Sequence, residues 1–141
     1  CGGVNDYRIY PNWIQVIENI DRNKIDTIPI VLVGSENGIE YSNQIINHFS
    51  NRGNLIDTVG KFTLTETKSI INSCELVVGP DGGILQLANA LDKKIIALFA
   101  QIDSRLRFTE ATEYKCLYDD KEVKNIKAKD ITNEILMPNM N

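Results

Sequence analysis

Histidine is almost missing from this chain of 141 residues: His48 stands alone. A metal centre built on imidazoles, or a nucleophile activated by one, has a single residue to draw on. His48 sits next to Phe49 on a helical stretch and reads as a surface or half-buried side chain. Cysteine is scarce as well. Cys1, Cys74 and Cys116 are odd in number, widely spaced and without metal-ligand spacing, so free thiols in a reducing cytosol are the plain reading and no metal is expected. Cys74 precedes an apolar run as a small core residue, and Cys116 lacks the histidine partner a nucleophile needs. Basic charge is short too. Fifteen Lys and Arg against 19 Asp and Glu leave a net charge of -4, which argues against a general nucleic-acid binder. The longest apolar run, Ile28 to Val33, is too short to cross a bilayer, so membrane contact is at most peripheral. Two signatures of other nucleotide-handling folds are missing. No G-x-G-x-x-G follows the first strand, as a dehydrogenase domain requires, and no acidic cluster marks the strand ends, as a response regulator requires.

What remains is ordinary in bulk, 43% hydrophobic and 24% charged, and long enough for a real core. We expect one domain over residues 1–141. A start at Cys1, without a charged-then-apolar leader, is read as a domain taken from a longer two-domain chain in preference to a mature lipoprotein.

Strand and helix patterns alternate along the chain. Pro11 precedes a helix with Trp13, Ile14, Ile17 and Ile20 on one stripe. "TIPIVLVGS" predicts a strand buried on both faces. A second helix follows, with Ile45, Ile46 and Phe49 inward and Gly53 as its stop. "NLIDTVG" is a weaker strand, and Thr63 to Glu66 has capping-box spacing ahead of a short helix. Strand "ELVVG", helix "ILQLANAL" and strand "KIIALFA" come next, with Ile84, Leu87, Ala88 and Leu91 at helical spacing. "EYKCLYDD" is a candidate last strand, "DDKEVKNIKAKD" a solvated loop, and "KDITNEIL" a terminal helix with Asp130 near its start. The class is α/β, a doubly wound, Rossmann-like parallel sheet with right-handed crossovers. Ligands of such sheets bind beyond the carboxyl ends of the strands. Three loops lie there: Gly34 to Gly38, Gly79 to Gly83, and Ala100 to Arg107.

The middle loop holds the most chemistry. "GPDGG" joins a strand to a helix whose N-terminus carries unpaired N–H groups and a partial positive charge, a seat for phosphate. Gly82 and Gly83 permit close approach to the backbone. Asp81 is out of place against phosphate, and it could cap the helix or hold a substrate hydroxyl. A turn followed by an N-cap, with no ligand, is the plain alternative. For Asp103, Arg105 and Arg107, contact with sugar or phosphate and a solvated ion-pair cluster are both open.

The stretch from Asp81 through Leu91 and into "KKIIALFA" resembles the signature D-[ST]-G-P-x-H-L-A-A-A-L, then L-F-G, of the bacterial heptosyltransferase family. That family moves heptose from ADP-heptose onto lipopolysaccharide core sugars. Upstream, "LIDTVGKFTLTE" is similar to the family's D-L-x-G-K-[TS]-[ST]-L through Asp57, Gly60, Lys61 and Leu64. "YRIYP" resembles its K-x-W-P, and "LVGSENGIE" resembles the loop that carries a Glu for the nucleoside. The matches occur in family order over roughly residues 1–108.

The resemblance implies the C-terminal, donor-binding domain of a GT-B glycosyltransferase, with an acceptor domain and its catalytic base outside this chain. It implies a nucleotide-sugar donor, ADP-linked, and a lipopolysaccharide or other envelope glycan as acceptor. It further implies no metal or other cofactor, and a cytoplasmic place on or near the inner face of the membrane. Gly82, Gly83 and Ile84 would give backbone N–H groups to the diphosphate, joined by Asp81 and Gln86, with Arg8 for the family lysine. Glu36 or Glu40 would accept from the ribose. The family's Ser or Thr is Gly82 here, its His is Gln86, its Pro is Ile84 and the glycine of L-F-G is Ala100. An inactive nucleotide-binding or interaction module with the same fold is the alternative.

Overall fold

The computed structural model describes residues 9–23, 28–109 and 112–137. Among them, strands and helices alternate: α1 (Trp13–Arg22), β1 (Ile30–Leu32), α2 (Ile39–His48), β2 (Leu55–Asp57), α3 (Leu64–Asn72), β3 (Leu76–Pro80), α4 (Gly83–Ala90), β4 (Lys94–Ala100), β5 (Tyr114–Asp119) and α5 (Ala128–Leu136). Every strand pairing is parallel. The hydrogen-bonded ladder is in two pieces, β1-β2 and β3-β4-β5, where a single sheet was expected. Pro29, which has no N–H to donate, and Gly34 bracket the three-residue β1 and leave it little ladder to form. Ile30 and Val78 nevertheless pack against the same core cluster, so the two pieces share one interior.

The strand β4 shows why this is a doubly wound fold. Ile95 to Phe99 are completely buried, and alternate side chains of the strand go to two different clusters. Leu98 and Ala100 face Val16, Ile20 and Ile131, from α1 and α5. Ile95, Ala97 and Phe99 face Ile71, Leu85 and Ala88, from α3 and α4. A strand covered on both faces has no polar side, which is why its sequence is a continuous apolar run.

Several local expectations hold. Thr63 and Glu66 form both bonds of the capping box, Glu66 N to Thr63 Oγ1 at 3.2 Å and Thr63 N to Glu66 Oε1 at 3.0 Å. Others need correction. α2 ends at His48, and Gly53 lies beyond it in an exposed turn that Arg52 N closes on Phe49 O at 2.9 Å. On α4 the most buried side chains are Leu85 and Ala88, while Ile84, Leu87 and Leu91 flank them half-buried. The charged stretch after β5 is not simply solvated, because Val123 and Ile126 turn into the core. Among the described residues no helix is long and apolar enough to cross a membrane.

Candidate functional site

The junction of β3 and α4 forms the floor of the site. Pro80 stays in register with Leu98, and Asp81 N donates to Leu98 O at 3.1 Å, so the strand pairs up to the last residue before the turn. The chain then enters α4 through Gly82 as N-cap, a residue with no side chain to cap the helix. N–H groups of the first turn of a helix have no intrahelical acceptor, and the cleft lined by Gly82 and Gly83 opens beside them.

Neither glycine at this turn is demanded by the fold. Gly82 has extended backbone that any residue adopts, and Gly83 is not in the left-handed region. A Cβ on Gly83 would meet nothing within 4 Å, and one on Gly82 only Pro80 O at 3.9 Å. The space above them is open, and a side chain there would stand between the helix N-terminus and anything approaching it.

That space is a cleft of about 450 Å³ lined by Asp81, Gly82, Gly83, Gln86, Leu106 and Arg107, within the size range of ligand sites. Two features give it polarity. Asp81, with its side chain 6% exposed, accepts from Arg107 Nε at 3.3 Å. Arg107 belongs to the loop after β4, so two of the three carboxyl-end loops meet here. Gln86 Nε2 is buried without a hydrogen-bond partner among the described residues. A buried donor left unpaired costs on the order of 1–3 kcal/mol, so an acceptor brought into the cleft would recover that energy.

The predicted site residues thus separate. Asp81, Gly82, Gly83 and Gln86 line one cleft. Ile84 contributes its backbone from the first turn of α4 while its side chain packs on the core. Glu36 and Glu40 are exposed near the carboxyl end of β1 and do not line that cleft. Arg8 lies outside the described residues.

The matched stretch around Gly60 has a structural explanation. Gly60 is left-handed (φ 67°), donates to Gly34 O at 3.0 Å, and a Cβ there would lie 2.7 Å from Ile39 Cδ1. Lys61 pairs with Asp57 at 3.6 Å and is more than half exposed.

In the loop after β4 the two arginines part company. Arg105 pairs with Asp103 at 2.6 Å in solvent and holds that carboxyl below its ordinary range. Arg107, two residues on, turns into the cleft. Sequence reasoning left Arg107 undecided. Its one signal was position at a strand's carboxyl end, shared with both neighbours. His48 pairs with Glu18 of α1 at 2.7 Å, outside the cleft lining.

A parallel α/β domain with a cleft beyond the carboxyl ends of its strands, beside a helix N-terminus, has the layout of the doubly wound, Rossmann-like folds. The model of glycosyltransferase family 9 (heptosyltransferase) matches residues 6–134, and the chain belongs to that family. Solved structures of other proteins share the fold. The ADP-heptose lipopolysaccharide heptosyltransferase II of E. coli superposes with a TM-score of 0.73 at 19% identity, over 93% of this chain and 42% of that one. A family 9 glycosyltransferase from Veillonella parvula does so at 0.77 and 14%, over 94% and 42%. The chain therefore spans less than half the length of either, and the shared fold is of GT-B type. No curated protein sequence matches it.

Proposed function

We propose that this chain is the donor-nucleotide half of a glycosyltransferase that moves a heptose-like sugar from a nucleoside-diphosphate sugar to a cell-envelope glycan. One observation carries the reading: the start of α4 at a glycine N-cap, the open space over Gly82 and Gly83, and Gln86, whose Nε2 has no partner among the described residues, share one cleft. The diphosphate sits on the N–H groups of Gly82, Gly83 and Ile84, with Gln86 donating to a phosphate oxygen. As the sugar bond breaks, the leaving diphosphate gains negative charge. Fixed donors aimed there lower the barrier by a few kcal/mol each, at about 3–4 for a well-placed donor, without requiring a metal. Glu36 or Glu40 receives the ribose, and Arg8 adds a cation. The base and the acceptor cleft belong to a domain beyond this chain, so the chain alone binds donor and does not transfer. The reading places the protein in the cytoplasm, at most peripheral to the membrane.

A binding module without turnover is the second reading. Gly82 has no hydroxyl and Gln86 no charge where the family has Ser or Thr and His.

A thermal-shift panel with ADP, GDP, UDP and CMP tests the site. Ligand at a hundredfold excess over its dissociation constant adds about 2.7 kcal/mol to the folded state. A shift with one diphosphate, lost in Gln86→Leu and reduced in Arg8→Ala, supports the donor site and identifies the base. No shift with any of the four removes it. Sugar transfer by the protein that includes the acceptor domain separates the enzyme from the module.

A further inference from the structure

The acid in the phosphate seat has a role that its position alone conceals. Asp81 is buried beside a helix N-terminus where a diphosphate would sit, and a bare carboxylate there would repel it. The carboxylate is not bare. Arg107 reaches across from the loop after β4 and pairs with it through Nε at 3.3 Å. Among the described residues lining the cleft, Arg107 is the cation. Its bond to Asp81 uses Nε, and its side chain is 36% exposed at the cleft, so the terminal nitrogens remain to face an incoming anion. A guanidinium held at one edge presents the other as a planar fork, the geometry that suits phosphate.

The loop is shaped for this reach. Gln101, directly after β4, is left-handed (φ 68°), and Ile102 N closes back on Ala100 O at 2.7 Å. The chain is thereby turned sharply at the end of the strand. Asp103 caps the short 3-10 turn Ser104–Leu106 through Arg105 N at 2.9 Å, and Arg107 follows that turn.

We infer that Arg107 is a diphosphate-binding residue of this cleft and that Asp81 is its positioning residue, holding Nε so that the terminal nitrogens meet phosphate oxygens. The inference rests on the donor-site reading above and adds to it a second cation, from a loop not used there. Gln86, which lines the same cleft and whose buried Nε2 has no partner among the described residues, is an independent mark that an acceptor belongs there.

Calorimetric titration of the chain with inorganic pyrophosphate and with ADP, GDP and UDP tests it, on wild type, Arg107→Gln, Asp81→Asn and Arg105→Gln. Arg107→Gln is expected to weaken the diphosphates by about 10- to 100-fold, the worth of a charge-assisted hydrogen bond. Its melting temperature should stay close to wild type, since one partly exposed pair is lost. Asp81→Asn keeps an acceptor for Nε and should lose less. Arg105→Gln, with its pair out in solvent, should lose little. Adenosine, guanosine and uridine, which have no phosphate, should bind all four proteins alike, an outcome a general loss of structure would not give. Diphosphate binding that is unchanged in Arg107→Gln overturns the inference and leaves the donor site standing. Absence of diphosphate binding in wild type overturns both.

Discussion

Replacing Arg52 by Met should destabilise the domain by about 2–4 kcal/mol while leaving the cleft intact. Arg52 is the most thoroughly used cation among the described residues. Its side chain is 6% exposed, and Nε lies 3.0 and 3.3 Å from the two carboxylate oxygens of Asp21. Nη1 donates to Asn54 O and Nη2 to Ile28 O, each at 3.1 Å. One guanidinium thus ties the end of α1 to the residues just before β1 and β2. Hydrogen bonds to a charged group contribute about 1.5–3 kcal/mol each, and removing one partner of a buried ion pair costs about 3–5. Two effects reduce the sum. Asp21 is 28% exposed and Asn54 is exposed, so water replaces part of what is lost. The desolvation of the guanidinium itself is also removed. Met keeps the length of the stem, which limits any cavity. Against a total stability of roughly 7–20 kcal/mol for a chain of this size, the loss should lower the melting temperature by about 10 °C.

Urea unfolding followed by far-ultraviolet circular dichroism measures it, with the double variant Asp21→Asn/Arg52→Met losing less than the sum of the singles. All the Arg52 contacts precede their strands, at the amino ends, whereas the cleft lies at the carboxyl ends. Diphosphate affinity of the folded variant should therefore equal that of wild type. A stability change of Arg52→Met within about 0.5 kcal/mol of zero would refute the clamp.

Three further outcomes are expected. Burial pushes the Tyr10 hydroxyl from 10.0 up to about 12, so its share of stability is present below pH 10 and is lost as pH rises from there through 12; Tyr10→Phe should shrink that alkaline loss. At neutral pH the same variant should lose about 0.5–1.5 kcal/mol, because Ile126 O gives up its donor at 3.0 Å. Glu66 is held below the ordinary carboxylate value by its bonds to Thr63, so the capping box stabilises α3 above that range and fails as pH falls through the lowered value. Thr63→Ala should cost about 1 kcal/mol at pH 7 in a chemical melt. Asp92→Gly should stabilise by up to about 1 kcal/mol, because Asp92 is left-handed (φ 55°) in the turn that ends α4, where Lys93 N bonds Ala88 O and Asp92 N bonds Asn89 O. A lower urea midpoint for that variant would show that its aspartate is held by more than the turn.

How much was legible in advance depended on the range of the forces involved. The capping box of Thr63 and Glu66 is a contact across one helical turn, so spacing alone revealed it. Burial on both faces was expected of "TIPIVLVGS", yet Ile30 and Val31 of β1 are only half-buried, and it is β4 that is buried throughout beyond Lys94. α2 was harder: its end falls at His48 instead of running on to Gly53, since the turn after Phe49 carries Arg52 back to Asp21, thirty-one residues earlier. Val123 and Ile126 were hidden among charges, and their burial depends on β4 and α1 lying beneath them.

The candidate site divides in the same way. Gly82, Gly83 and Gln86 lie within one turn of α4, and their grouping followed from helical periodicity and the family signature alone. The sequence by itself determined a parallel α/β domain, its family and the glycine-rich strand-to-helix joint, because these follow from short-range patterns of burial and turn geometry. Tertiary structure alone decided that Asp81 is paired, and that Arg107 and not Arg105 enters the cleft. Residues 81 and 107 belong to loops from different strands, and only the pairing of β3 with β4 and the left-handed turn at Gln101 bring their charges together.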